Sequence, residues 1–187
     1  MNSLSEAFKT KINAAKFFYK EISKLYTLGQ SKSLPDEFFY HLDGCIFELH
    51  AASQMLLQII NIKSGVNEEE FNVSWSPKFK NALKLKCEPM YEFWEKLDAS
   101  PDFWILEATR QHISHRNSSI VNCVTEGEDG YIISVALAIR YRYKKNEETG
   151  KREPKLIPTG RSIELLDELK SIEEFLESKF EELQILN

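Results

Sequence analysis

The feature that most limits how this 187-residue chain can fold is the run between Pro35 and Gly65. Leu42, Ile46, Leu49, Leu56 and Ile60 recur along it at helical spacing, and its later half, Met55 to Ile62, is apolar nearly all round. A helix with one apolar stripe covers a core, whereas one that is apolar on every side must itself be enclosed. The segment is therefore predicted to be the central helix of a bundle, or to lie in a subunit interface. Proline suits a first helical turn and Ser64-Gly65 suits a stop, which sets its bounds at about Pro35 and Lys63.

Other helices can be placed around it. Ser3 and Glu6 have capping-box spacing, and Phe8, Ile12, Ala15, Tyr19, Ile22 and Tyr26 continue a first helix to about Leu28, ahead of Gly29. Residues Asn67 to Lys80, with three consecutive glutamates and Ser76-Pro77, read as an exposed connector. Asn81 to Leu97 reads as a helix broken or restarted at Pro89, with Met90, Phe93, Trp94 and Leu97 on its face. Ser100-Pro101-Asp102 supplies a capping hydroxyl, a first-turn proline and an acid near the positive helix end, so another helix starts there, with Phe103, Leu106, Arg110 and Ile113 along one side. A last helix, about Gly160 to Leu186, carries Leu165, Leu169, Ile172, Leu176 and Leu183. Its eight acids against three bases from Arg161 onward read as a solvated face.

Between the last two helices the pattern changes to period two. Ile120 to Val124, a turn at Glu126-Gly-Glu-Asp-Gly130, and Tyr131 to Tyr143 predict a β-hairpin, with a further short strand near Lys155 to Ile157. The expected architecture is one mainly α domain over 1–187. It is an up-and-down bundle of four to five helices with a small β-hairpin insertion, at about 120–158, before the C-terminal helix.

Charge and cysteines narrow the class. A net charge of −5 argues against indiscriminate binding along a duplex, although a local basic face could still meet phosphates. MNSLSEAFKTK has no apolar signal core. Met55 to Ile62 is interrupted by Gln58 and Asn61 and is too short for a bilayer, so the expectation is a cytoplasmic protein with no membrane partner. Cys45, Cys87 and Cys123 are odd in number and lack CxxC spacing, which reads as reduced, packed thiols.

Chemistry is narrowed first by what is missing. The chain has no glycine-rich phosphate loop, no HExxH, no pair of ExxH motifs and no GxSxG elbow. What remains is Phe103 to Asn117, which gathers Arg110, His112, His115 and Arg116 within two helical turns. A guanidinium holds phosphate through two parallel hydrogen bonds, and imidazole, with an ordinary pKa near ~6.5, trades a proton near neutrality. The pair suits RNA phosphodiester chemistry: His115 takes the 2′-hydroxyl proton or protonates the leaving oxygen, and Arg110 stabilises charge growing at phosphorus. Five residues of unbroken helix place the two side chains roughly 140° apart, so the site requires the helix to loosen at His115 or a second copy of the chain. The plainer reading is that Arg110 pairs with an acid such as Glu107 and His115 merely ends a helix. His112 and His115 stand at metal-ligand spacing, but no third ligand is visible and no metal or cofactor is expected. His41 and His50 read as surface or packed histidines.

A second basic stretch, Arg140-Tyr-Arg-Tyr-Lys-Lys145, offers Arg140, Arg142, Lys144 and Lys145 as RNA-binding candidates. Strand alternation sets Arg140 and Arg142 opposite Tyr141 and Tyr143, and a charge-protected edge strand is the plainer account.

Arg110-Gln-His-Ile-Ser-His115 matches the Arg-x4-6-His motif of the HEPN (higher eukaryotes and prokaryotes nucleotide-binding) superfamily, and its place late in a helix of a helical domain resembles that family as well. The resemblance implies a metal-independent endoribonuclease whose site forms at a homodimer interface. Arg110 and His115 would be its catalytic pair, and Gln111, His112, Ser114 and Arg116 would stand beside them. It also implies RNA as substrate and a toxin–antitoxin or stress and defence setting, with an antitoxin or other protein partner. The alternative it leaves is a non-catalytic nucleotide- or protein-binding module. Family members often carry Asn, Asp or His directly after the arginine, where this chain has Gln111, and the strand-rich insertion lies outside the minimal helical core.

Overall fold

A computed structural model of the chain describes residues 2–29, 35–69, 73, 77–103, 105–107, 110, 120–127, 130–137, 141–145, 152–156 and 165–186. The chain is mainly α-helical. Helix α1 spans Asn2–Gly29, α2 Asp36–Lys63, α3 Pro77–Lys86 and α4 Glu88–Asp98. A fifth helix, α5, has helical backbone at 101–103, 105–107 and 110, and α6 spans Leu165–Ile185.

Helix α2 is central. Its buried side chains run from Phe38 through Leu42, Ile46, Leu49, Leu56 and Ile60 to Asn61. They interlock with Phe8, Ile12 and Ile22 of α1, Leu83 of α3, Met90 and Phe93 of α4, and Leu169, Leu176 and Leu183 of α6 in one core. Three contacts show that α1 runs antiparallel to α2: Phe18 lies against His41, Cys45 Sγ–H donates to the Ala15 carbonyl at 3.6 Å, and Lys11 pairs with Glu48 at 3.0 Å. The Phe18 ring sits over Gly44, where a Cβ would come within 2.9 Å of it, so the two helices meet closely only because that position lacks a side chain. On its other side α1 is held by α6, through stacked Phe8 and Phe180 rings 4.3 Å apart and through Lys16 to Glu177 at 2.8 Å. Lys63, at the end of α2, donates to the carbonyls of Gln184 and Leu186 and so caps α6.

The structure alters several expected boundaries. The first helix already includes Asn2, so Ser3 lies inside the first turn and is not its N-cap. The expected connector ends earlier, because α3 starts at Pro77 and buries Phe79 and Leu83. The following break falls at Cys87 and not at Pro89. That proline sits in the first turn of α4, where its missing N–H would have no helical partner in any case. Nor is the chain between α2 and α3 wholly exposed. Val73 is buried, and the Asn61 side chain brackets the backbone of Glu68, donating to its carbonyl at 2.8 Å and accepting from its N–H at 2.9 Å. Gly65 and Asn67 take positive φ to make this return.

Strand β1, Ile120–Gly127, pairs antiparallel with β2, Gly130–Leu137, from Ile120 opposite Leu137 to Gly127 opposite Gly130. Strand β3, Tyr141–Lys145, pairs with β4, Arg152–Leu156, in a second two-stranded sheet. The stretch Tyr131 to Tyr143 is thus divided between two sheets, where one continuous strand was predicted. The residues from 160 to 164, assigned to the last helix by sequence, lie outside the described residues.

By length and composition α2 is the one described helix that could cross a membrane, and more than half of that apolar window is buried inside the protein. Its apolar character is thereby largely used in the core. Truncating Leu49, which has no exposed surface, should cost about 2–5 kcal/mol, read as a lower urea midpoint with an unchanged m-value.

Candidate functional site

The candidate site is built on α5, and α5 is positioned by polar contacts at Asp102 and at Glu107. In its first turn Asp102 accepts hydrogen bonds from Ser100 Oγ at 3.3 Å and from Ser171 Oγ of α6 at 2.9 Å. Phe103 and Leu106 are buried beneath it, as their spacing predicted. One turn later Glu107 reaches α2, with Oε1 3.0 Å from His50 Nε2. These side chains are only 14% and 13% exposed. The pair is at ion-pair distance but off the hydrogen-bond line, since Glu107 Oε1 is sealed from water without a hydrogen-bond partner. Gln54 Nε2 lies 3.4 Å from the same imidazole nitrogen.

Arg110 follows Glu107 by one turn and is half-buried. Its Nε is sealed from solvent without a hydrogen-bond partner, and among the described residues Arg110 forms no ion pair. The expected structural alternative, Arg110 paired with Glu107, is not the arrangement found. Glu107 faces His50, and no described carboxylate is paired with the guanidinium. The other residues singled out around it, Gln111, His112, Ser114, His115 and Arg116, lie outside the described residues. So does Arg140. Arg142, Lys144 and Lys145 fall on β3, at the register positions of Lys155, Glu153 and Arg152.

Sequence reasoning set His50 aside as a packed or surface residue, and the fold brings it to the edge of the site. No local signal could have found it, because its partner is on another helix far along the chain. The cysteine expectation fits what is described: Cys45 is a buried free thiol that burial pushes up to about 12, and Cys87 is free and half-buried. Cys45 therefore offers no thiolate near neutrality. Among the described residues no group of three His, Cys, Asp or Glu is placed to hold a metal ion.

A further buried acid bears on the position of α5. Glu168 of α6 is 8% exposed, and its Oε1 has no hydrogen-bond partner. Burial raises its pKa, and the charge of Asp102 raises it further. A carboxyl whose folded pKa lies above its unfolded value favours the fold while protonated. That contribution is full below about pH 4.5 and is lost as pH rises through the folded value. Glu168→Gln, which removes the charge that burial opposes, should accordingly raise the stability of the protein at pH 7. The gain should vanish below about pH 4.5 in chemical melts run across pH.

Compared with known proteins, the chain matches no family model, no curated sequence and no solved structure.

Proposed function

We propose that the protein is a HEPN-like, metal-independent endoribonuclease acting as a homodimer in the cytoplasm, in a toxin–antitoxin or stress and defence setting. The observation that carries this reading is the state of Arg110, a half-buried guanidinium that no described carboxylate neutralises. Burying such a group without a partner is costly, and an arginine held in that state on a packed helix is suited to an incoming phosphate.

In the proposed reaction the ribose 2′-oxygen gives its proton to a base and attacks phosphorus. The bond from phosphorus to the 5′-oxygen breaks, and that oxygen takes up a proton. The products are a 2′,3′-cyclic phosphate and a 5′-hydroxyl. Arg110 stabilises charge on the non-bridging oxygens, and His115 serves in proton transfer. Arg142, Lys144 and Lys145 on β3 could add phosphate contacts away from the cleavage point.

A face of α2 supports the homodimer. Tyr40, Phe47 and Ile62 are 70%, 43% and 42% exposed, and positions 40, 47, 51, 55, 58 and 62 lie on one side of the helix. This side holds Ala51, the partly buried Met55 and Gln58 besides the three exposed residues, and no charge. A twofold, antiparallel contact centred on Ala51 sets Tyr40 opposite Ile62 and Phe47 opposite Met55 of the second copy, a self-complementary arrangement.

Purified protein should cleave RNA in EDTA, and Arg110→Ala and His115→Ala should each lower the rate at least ~100-fold, the usual weight of a charge-stabilising or proton-transfer group. Equal rates in all three would remove this pair from the mechanism. Light scattering should give a dimer at micromolar concentration and a monomer for Phe47→Glu; a monomeric wild type would overturn the dimer.

A further inference from the structure

Two sealed polar atoms of opposite character stand one turn apart on α5: Glu107 Oε1 and Arg110 Nε, neither with a hydrogen-bond partner. Residues three apart on a helix are surface neighbours, with Cβ atoms about 5–6 Å apart. Native proteins leave few such atoms unsatisfied, and each calls for a physical account.

The imidazole beside them indicates what that ligand carries. Glu107 and Gln54 both approach His50 at Nε2, which leaves Nδ1 without a hydrogen bond among the described residues. With Nε2 faced by these two side chains, Nδ1 is the imidazole nitrogen open to a hydroxyl, which can either donate to it or accept from it. Arg110, one turn along, offers donors to an anion. A hydroxyl next to a phosphate is the chemistry of a ribonucleotide, and a deoxyribonucleotide lacks the first half of it.

We propose that His50, held by Glu107, binds the ribose 2′-hydroxyl adjoining the phosphate that Arg110 holds, so that this corner of α2 and α5 selects ribonucleotides over deoxyribonucleotides. The inference rests on the reading of Arg110 as a phosphate-binding residue. His50 is the specificity-determining group, and Glu107 positions it. His50 and Glu107 are each slightly exposed, so the corner has an edge open to solvent.

The test is equilibrium binding of adenosine 3′-monophosphate and 2′-deoxyadenosine 3′-monophosphate by calorimetry, with the His50 ring signals followed by NMR. Wild type should bind the ribonucleotide about tenfold more tightly, the weight of one net hydrogen bond. Only that ligand should move the His50 signals. His50→Gln and Glu107→Gln, checked for folding by circular dichroism, should bind both nucleotides equally, and Arg110→Ala should lose both. Should Glu107→Gln fail to fold, His50→Gln decides alone. Equal binding of the two nucleotides by wild type, or discrimination that survives in His50→Gln, would overturn the inference while leaving Arg110 as a phosphate site. No binding of either nucleotide by wild type would overturn both.

Discussion

Enclosure of α2 is the constraint on which the rest of the structure depends. An isolated helix of this length gains little from propensity alone, and its stability comes from burying its apolar sides against neighbours. Helix α1 lies antiparallel along one side, close enough at Gly44 that the Phe18 ring fills the place of a side chain. Helices α4 and α6 contribute Phe93, Leu97, Leu176 and Leu183 to the same core. What this enclosure leaves exposed on α2 are the large apolar side chains Tyr40, Phe47 and Ile62.

The polar contacts then decide where α5 can lie. Ser171 of α6 grips Asp102 at its start, and His50 of α2 meets Glu107 one and a half turns later. Between these contacts Phe103 and Leu106 are buried, so this stretch of α5 is held by polar contacts and by its apolar base. That arrangement is not free of cost. Glu168 is buried near Asp102, and Glu107 Oε1 and Arg110 Nε are sealed without hydrogen bonds. Such groups destabilise a fold by amounts comparable to a large fraction of its net stability, and proteins concentrate them where binding or chemistry takes place. Arg110 combines that cost with the motif that sequence alone singled out.

Legibility followed the range of the interactions. The helical stripes of α1, α2, α4 and α6 were readable because burial on one face imposes a period of about 3.6 residues that survives in the sequence. Helix α3 was partly missed, since ten residues with four lysines show only Phe79 and Leu83 as buried positions, too few to establish a period. The restart at Cys87 was misplaced by two residues because proline marks a first turn as readily as a break. Within the candidate site, the half-buried place of Arg110 and the burial of Phe103 and Leu106 followed from local spacing. The partner of Glu107 did not.

The sequence by itself determined the helical class, the central place of α2 and the singling out of Arg110, because each depends on residues within a few turns of one another. The tertiary structure alone decided that Glu107 is taken by His50, that Arg110 is left without a described counter-charge, and that Glu168 is buried beside Asp102. These contacts join α5 to α2 and α6 across long stretches of chain. Pairings between distant segments are set by how the helices pack, and no local period in the sequence encodes them.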